Sequence, residues 1–171
     1  MEVFLVAIFK PLKRFYRATD ITVDYLKSIG VKGVALDADN TMSEHHSQIP
    51  LDGAIEWIEH LKRNDIKVLM VSNSKSVRVL PFAKKLGVEH ISLAVKPLPF
   101  GFIKAVKSMN IKKGQLAVIG DQIFTDILGA NLMGAKALLV TPIKLEDKLS
   151  FKIRRKLENK LLRKYGEFDE C

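Results

Sequence analysis

Four acidic side chains lie just beyond apolar runs of the chain: Asp37, Asp39, Asp121 and Asp126. Residues two apart in an extended chain point the same way, so Asp37 and Asp39 can face one common site. Carboxylates that converge on a small region repel one another strongly unless a cation neutralises them. Mg²⁺ prefers oxygen ligands with open positions, since it keeps waters and binds phosphate groups beside its protein ligands. The spacing therefore predicts a magnesium site that could also receive a phosphate.

Two further apolar runs are followed by groups that could hold that phosphate. Ser72 and Asn73 follow the run at 67–71, and Lys96 follows the run at 90–94. Taken singly, a polar residue at a strand end is usually a turn or cap residue, and a single lysine is usually a solvated surface charge. If all of these residues had only structural roles, their placement at the ends of several strands of one fold would require a separate coincidence at each strand. We therefore favour the combined interpretation, a phosphate site beside a metal.

Short apolar runs alternate with longer helical patterns between residues 33 and 140. The pattern predicts strands at 33–36, 67–71, 90–94, 116–119 and 136–140. It predicts helices at 52–64, 77–86, 100–109 and 123–133. Continuous apolar strands separated by helices indicate a parallel sheet covered on both faces, so we predict a doubly wound α/β fold with five strands. The site of such a fold lies at the carboxyl ends of its strands.

These residues resemble the motifs of the haloacid dehalogenase-like phosphatases. The segment 37–41 (DADNT) resembles their first motif, Asp-x-Asp-x-Thr after an apolar strand. Ser72 and Lys96 stand where the second and third motifs have their Ser or Thr and their Lys. The segment 120–126 (GDQIFTD) resembles the fourth. From about Phe4 to Arg163 the chain is most similar to the YqeG-type branch of class III, which includes phosphatidylglycerophosphate phosphatases.

The resemblance implies a Mg²⁺-dependent phosphatase in which Asp37 attacks phosphorus and forms an aspartyl-phosphate. It gives Asp39 the roles of protonating the leaving oxygen and then activating the hydrolytic water. The implied metal ligands are the side chains of Asp37 and Asp121 and the backbone carbonyl of Asp39. Asp126 would support the waters of the metal or orient Lys96. The phosphoryl oxygens would be held by Asn40, Ser72, Asn73 and Lys96.

The segments 42–71 and 73–95 each leave room for little more than one helix. Members of this superfamily insert their lids at those two places, so the resemblance predicts one domain over residues 1–171, without a cap and with a site open to solvent. An open site suits a bulky phosphate carrier such as a lipid headgroup, a protein or a polynucleotide end, unless a second copy in a homo-oligomer covers it. His45 and His46 lie in the loop beside the site, and we favour a solvated loop over substrate contact for both.

The formal net charge of +9 is concentrated in two basic amphipathic segments, at 1–18 and 146–165. Four-residue spacing in the second places these side chains on one stripe of a helix: Leu149, Ile153, Leu157, Leu161 and Tyr165. The stripe either packs on the sheet domain, which we favour, or lies on anionic lipid. The amino-terminal segment, with Phe15 and Tyr16, is open to the same two interpretations.

The leading hypothesis is dephosphorylation of phosphatidylglycerophosphate at the surface of an anionic membrane. A second hypothesis is a soluble phosphatase of a sugar, polyol or nucleotide phosphate. A third is a basic nucleic-acid- or membrane-binding protein with a vestigial phosphatase fold. The intact carboxylates and the lack of aromatic residues interleaved with basic ones argue against a nucleic-acid partner. The single cysteine, Cys171, cannot form an internal disulfide, so we expect a cytoplasmic protein, peripheral to the inner membrane surface under the leading hypothesis.

Overall fold

The computed structural model describes residues 7–144 and 149–164, and this part of the chain contains one parallel sheet of six strands. The strands are β1 (Lys13–Phe15), β2 (Gly33–Leu36), β3 (Lys67–Val71), β4 (Glu89–Ile91), β5 (Leu116–Gly120) and β6 (Lys136–Val140). Their order across the sheet is β1-β6-β5-β2-β3-β4. The two central strands, β5 and β2, are buried along their whole length, as continuous apolar strands covered on both faces should be.

Helices cover both faces of the sheet. They are α1 (Val23–Ser28), α2 (Ala54–Arg63), α3 (Ser76–Lys85), α4 (Phe100–Met109), α5 (Leu128–Met133) and α6 (Leu149–Lys164). Successive strand residues point to opposite faces, so Val34 and Leu36 join one core and Ala35 joins the other. The first three helices pack against the core that contains Leu36, and α4 and α5 pack against the second core.

The predicted doubly wound fold is confirmed, but the predicted count of five strands is wrong. The additional strand is β1, which pairs with β6 at the edge of the sheet. Three residues, two of them the cations Lys13 and Arg14, give no apolar run to recognise, although charged short strands are typical of sheet edges. The predicted third strand ends early, at Ile91. Within the described residues only α2 lies between β2 and β3, and only α3 between β3 and β4, so no cap domain is present there.

The predicted helix at 123–133 has two parts. Residues Ile123–Ile127 form a π-helical turn, and α5 continues from Leu128. Insertions of this kind widen one turn of a helix and occur frequently at functional sites. The turn carries Asp126, so it bears directly on the site described below.

The two basic terminal segments are described only from residue 7 and over 149–164. The amino-terminal part joins the sheet domain: the amide of Leu12 donates to the carbonyl of Ala137 (2.7 Å), and Phe9 packs edge-on against Phe124. Tyr165 and residues 1–6 and 145–148 lie outside the described residues. Among the residues that are described, no helix is long and apolar enough to cross a membrane.

The helix α6 packs on the domain, but Leu161 is the only described member of the predicted stripe that packs against a core. Leu149, Ile153 and Leu157 are 73%, 53% and 50% exposed, whereas Leu161 and Leu162 pack against the second core. Our expectation that the whole stripe is buried is therefore wrong for its first three members. The polar contacts that fix this orientation of α6 involve residues of the site described below.

Candidate active site

The carboxyl ends of β5, β2 and β3 bring the predicted site residues to one edge of the sheet. Leu36 at the end of β2 is paired with Ile119 on one side and with Met70 on the other. The next residue, Asp37, continues the pairing, since its amide donates to the carbonyl of Ile119 (2.9 Å). Parallel neighbours in register end at the same level, so the residues that follow these strands meet there.

Three buried carboxylates converge at this edge. Asp37, Asp121 and Asp126 each offer one oxygen, and these oxygens lie within 4.8 Å of one another. The Oδ1 atom of Asp121 is buried and has no hydrogen-bond partner in the described structure. A buried carboxylate oxygen without a donor fits a metal ligand, because a cation would satisfy it. This group of side chains could therefore bind a divalent cation.

Lys96 bridges two of these carboxylates from the other side. Its Nζ lies 2.5 Å from Oδ1 of Asp37 and 2.6 Å from Oδ1 of Asp126, and the side chain is buried. Asn73 holds its backbone: the amide of Lys96 donates to Asn73 Oδ1 (2.7 Å), and Asn73 Nδ2 donates to the carbonyl of Lys96 (3.1 Å). Burial alone lowers the pKa of Lys96, but the two carboxylates more than offset this and raise its pKa above the ordinary value. The lysine therefore stays charged.

Burial raises the pKa of two carboxylates of the cluster. Burial raises the pKa of Asp37 to about 7, with Asp126 adding to the effect and Lys96 opposing it. Burial also raises the pKa of Asp121 well above its usual range, with Arg155 opposing the change and the other two carboxylates reinforcing it. Both shifts have the sign expected of carboxylates gathered in a dry site.

The π-helical turn and Gly120 together fix Asp126. The amide of Gln122 donates to Asp126 Oδ2 (3.2 Å), and the Asp126 side chain is fully buried. A Cβ atom at position 120 would lie 2.3 Å from Cγ of Asp126, far inside contact distance. Only glycine therefore allows β5 to end so close to this carboxylate.

Asp39 lies apart from the three-carboxylate cluster. Its Oδ1 atom is ion-paired with Arg78 of α3 and accepts a hydrogen bond from the amide of His46 (3.0 Å). Arg78 also donates to Ser74 Oγ (3.1 Å) and lines a pocket together with Asp39 and Ser72. Sequence reasoning missed Arg78, although its position in the first turn of the helix after the Ser72 strand end was a usable signal.

The remaining predicted residues differ in what their side chains do. Ser72 is buried, and its Oγ accepts from the amide of Ser74 (3.1 Å). Asn40 has a left-handed backbone, with φ of 57°, and its Oδ1 accepts from the amide of Lys144 (3.3 Å). The side chains of Asn40 and Asn73 thus tie loops to the site, and their assignment to phosphate binding stays a prediction.

One side of the site is flanked by α6, which sequence reasoning did not place there. Arg155 forms an ion pair with Asp121, and Phe151 contacts the ring of His45 edge-on, with centroids 5.3 Å apart. His45 is therefore half-buried rather than solvated, whereas His46 is exposed. The missed signal is a second helical spacing, 151, 154, 155, 158 and 162, which mixes charged and apolar residues and so gives no clear hydrophobic stripe.

Three comparisons with known proteins bear on this site. The model of the haloacid dehalogenase-like hydrolases matches residues 22–134. The chain is 39% identical over 142 residues to the protein named "Probable phosphatase YqeG" of Bacillus subtilis (strain 168), with 83% of each chain covered. It is 29% identical over 155 residues to phosphatidylglycerophosphate phosphatase 1, chloroplastic/mitochondrial, of Arabidopsis thaliana. That match covers 83% of this chain but only 44% of the plant protein.

Solved structures with the same fold are more distant in sequence. The cobalt-bound deoxy-D-mannose-octulosonate 8-phosphate phosphatase YrbI of Haemophilus influenzae superposes with a TM-score of 0.53 at 15% identity, over 82% of this chain and 92% of that one. The D,D-heptose 1.7-bisphosphate phosphatase of B. bronchiseptica, complexed with magnesium and phosphate, gives 0.50 at 18% identity, over 63% and 79%. At such identities the likeness establishes the architecture alone.

Proposed function

This chain belongs to the haloacid dehalogenase-like hydrolase family and is a phosphatase, and we propose that it uses Mg²⁺ and an aspartyl-phosphate intermediate to dephosphorylate phosphatidylglycerophosphate at a membrane surface. The observation that carries the chemistry is the cluster of three buried carboxylates with Lys96 beside Asp37. Lysine there offsets the charge of an incoming phosphate, which a purely acidic pocket would repel.

In the first step, Asp37 attacks phosphorus and the bond from phosphorus to the leaving oxygen breaks. Asp39 gives that oxygen its proton. Asp39 is ion-paired with Arg78 and accepts a hydrogen bond from the amide of His46. A substrate phosphate bound beside Ser72 would compete for Arg78, because a guanidinium pairs strongly with a doubly charged anion, and would release Asp39 from this ion pair.

In the second step, water attacks the phosphorus of the aspartyl-phosphate, Asp39 takes the proton of the water, and Asp37 is released as a carboxylate. The side chains of Asp37 and Asp121 and the backbone carbonyl of Asp39 would hold Mg²⁺, which when bound neutralises charge on the phosphoryl oxygens. Asp126 and Lys96 position one another and Asp37 through both steps, since Lys96 contacts both carboxylates. Ser72 and the backbone of Asn40 and Asn73 would bind the phosphoryl oxygens.

Two observations favour a lipid phosphate as substrate. The plant relative carries the name of a phosphatidylglycerophosphate phosphatase, although this chain spans less than half of its length. The second observation is the outer face of α6, which we define as Leu149, Ile153, Leu157, Lys156 and Lys160, all of them exposed. Leucine and isoleucine flanked by lysines on one surface suit contact with an anionic lipid interface.

The test is release of phosphate from phosphatidylglycerophosphate in anionic vesicles with Mg²⁺, compared with a panel of soluble sugar, polyol and nucleotide phosphates. We expect clear preference for the lipid. In parallel, Ile153→Glu should weaken binding to vesicles by about 10-fold or more, because an apolar side chain that leaves water contributes about 1.5–3 kcal/mol.

The matched control is Ile55→Glu, which makes the same change at a side chain that is 40% exposed on α2, whose buried residues belong to the other core. It should leave vesicle binding unchanged. Preference for the soluble panel, together with no vesicle binding at moderate salt, would rule out the lipid substrate and leave a phosphatase of soluble phosphomonoesters. Equal loss in the two variants would show that the outer face of α6 is not the contact.

Magnesium affinity should fall as the pH falls through about 7, the pKa of Asp37 in the metal-free protein. Below this pH, Asp37 is protonated and must lose its proton before it can ligate, whereas above it the carboxylate is ready. We expect roughly 10-fold weaker affinity at about pH 6 than at about pH 8, with proton uptake by the buffer at the lower value. Calorimetric titration in two buffers of different ionisation enthalpy measures the affinity and the number of protons released. Equal affinities at the two pH values, without proton release, would contradict the prediction.

A further inference from the structure

The helix α6 contacts Asp121 but lies outside the part of the chain that matches the family model, which ends at residue 134. Arg155 ion-pairs with Oδ2 of Asp121, and its Nη1 donates to the backbone carbonyl of the same residue (2.7 Å). The guanidinium thus holds both the side chain and the backbone of a residue in the carboxylate cluster. Such a two-point contact fixes an orientation as well as a charge.

Glu158 holds the guanidinium in place. Its Oε2 accepts from Nη1 of Arg155 (3.0 Å), and its Oε1 accepts from the amide of Ile123 (2.8 Å). Ile123 is the first residue of the π-helical turn that carries Asp126, so Glu158 joins α6 to the segment that also forms the site. The Glu158 side chain is buried, so water has little access to its two hydrogen bonds.

The formal charges of these side chains sum to a net negative charge that one divalent cation would neutralise. The carboxylates of Asp37, Asp121, Asp126 and Glu158 carry four formal negative charges when ionised. Lys96 and Arg155 supply two positive charges, which leaves a formal net charge of −2. Without Arg155 the net charge would be −3, and a single Mg²⁺ would no longer neutralise it.

The two oxygens of Asp121 have different surroundings. Oδ2 is taken by Arg155, while Oδ1 is buried without a hydrogen-bond partner among the described residues. We propose that Arg155 and Glu158 are positioning residues of the metal site, which hold one oxygen of Asp121 so that the other is presented to the cation. The inference rests on the proposed function, because it gives Asp121 the role of metal ligand.

A competing role for Arg155 would be inhibition, with the guanidinium occupying the place of the metal. Its contacts with the backbone carbonyl of Asp121 and with Glu158 point instead to a fixed neighbour of the site, since neither partner would be released by a cation at Oδ1. The two roles predict opposite changes in metal affinity. Removal of a positioning residue weakens binding, whereas removal of a competitor strengthens it.

The experiment measures Mg²⁺ binding to the full chain without substrate, by calorimetric titration of wild type, Arg155→Ala and Arg155→Lys. We expect the alanine variant to bind Mg²⁺ about 10–100-fold more weakly, the usual effect of losing a partner that orients a ligand. The lysine variant should recover part of the loss, because it restores the charge but lacks the planar guanidinium whose donors contact Asp121 and Glu158 in fixed directions. Raising Mg²⁺ should restore much of the turnover of the alanine variant.

Arg163→Ala is the matched control, since it removes a guanidinium from an exposed position on the same helix. It should bind Mg²⁺ as wild type does. Unchanged or tighter binding by Arg155→Ala would overturn the inference. If the thermal transition shows that Arg155→Ala does not fold, Glu158→Gln takes its place. This variant keeps an oxygen that can accept from the amide of Ile123 but loses the charge that holds Arg155. Wild-type Mg²⁺ affinity in Glu158→Gln would equally overturn the inference.

Failure of the inference is distinguishable from failure of the proposed function. If wild type hydrolyses phosphatidylglycerophosphate with Mg²⁺ while Arg155→Ala binds the ion normally, only the role of Arg155 and Glu158 is wrong. If wild type binds Mg²⁺ and Arg155→Ala does not, but no vesicle substrate is hydrolysed, the positioning role stands and the substrate is wrong.

Discussion

Asp37→Asn should lower turnover by about 10⁴-fold or more while the protein stays folded. The amide cannot form the acyl phosphate through which both steps of the proposed reaction pass. The fold should survive, because the folded metal-free protein already disfavours the ionised form of Asp37, whose pKa burial raises to about 7. A neutral amide of the same shape removes the repulsion with Asp126, and Lys96 keeps Asp126 as its partner. We therefore expect the thermal transition without metal to be unchanged or higher.

The measurement pairs phosphate release with the thermal transition in the presence of a chelator. Acid quenching of wild type during turnover, followed by mass spectrometry, should place a phosphoryl group on the peptide that contains Asp37. Asp52→Asn is the control, since it makes the same change at an exposed aspartate and should keep full activity. Turnover near that of wild type in Asp37→Asn, or a phosphoryl group on another peptide, would show that the nucleophile is elsewhere.

The carboxylates of the site could be predicted from the sequence because the fold gathers them by a general rule. Parallel strands that are neighbours in the sheet end at the same edge, so polar residues after apolar runs converge there whatever the loops between them. This is why Asp37, Asp121 and Lys96 are close together although Lys96 is separated from Asp37 by 59 positions. The alternation of apolar runs with helical patterns predicted the doubly wound architecture, and it missed β1, because the lysine and arginine of this short edge strand leave no apolar run.

The helix α6 shows what the sequence could not supply. Its regular stripe of leucine and isoleucine predicted the buried face, yet Glu158 and Arg155 face the domain and three members of the stripe face outward. A buried charge network is fixed by its partners, Asp121 and Ile123, which lie more than thirty positions away. Periodicity within one helix carries no information about such partners, and the same limit explains why the pairing of Arg78 with Asp39 was missed.

Lys96→Met should destabilise the metal-free protein by about 3–5 kcal/mol, the usual result of removing one partner from a buried ion pair. Methionine fills a similar volume, so the effect reports the charge and not a cavity. The carboxylates of Asp37 and Asp126 would then face each other without a cation, since Lys96 is within 2.6 Å of both. The loss should grow as the pH rises through about 7, because Asp37 is protonated below that pKa and charged above it.

Denaturant unfolding in the presence of a chelator, at about pH 6 and about pH 8, measures this loss and its pH dependence. Lys104→Met, at an exposed lysine of α4, is the control and should change stability by less than about 0.5 kcal/mol. Two treatments should restore the variant: Mg²⁺, which supplies the missing positive charge, and the second substitution Asp126→Asn, which removes one negative charge. Rescue by both would show that Lys96 acts in the free protein as a substitute for part of the charge of the metal. A stability loss that neither treatment reduces would mean that Lys96 contributes by packing, and the electrostatic account of the cluster would be wrong.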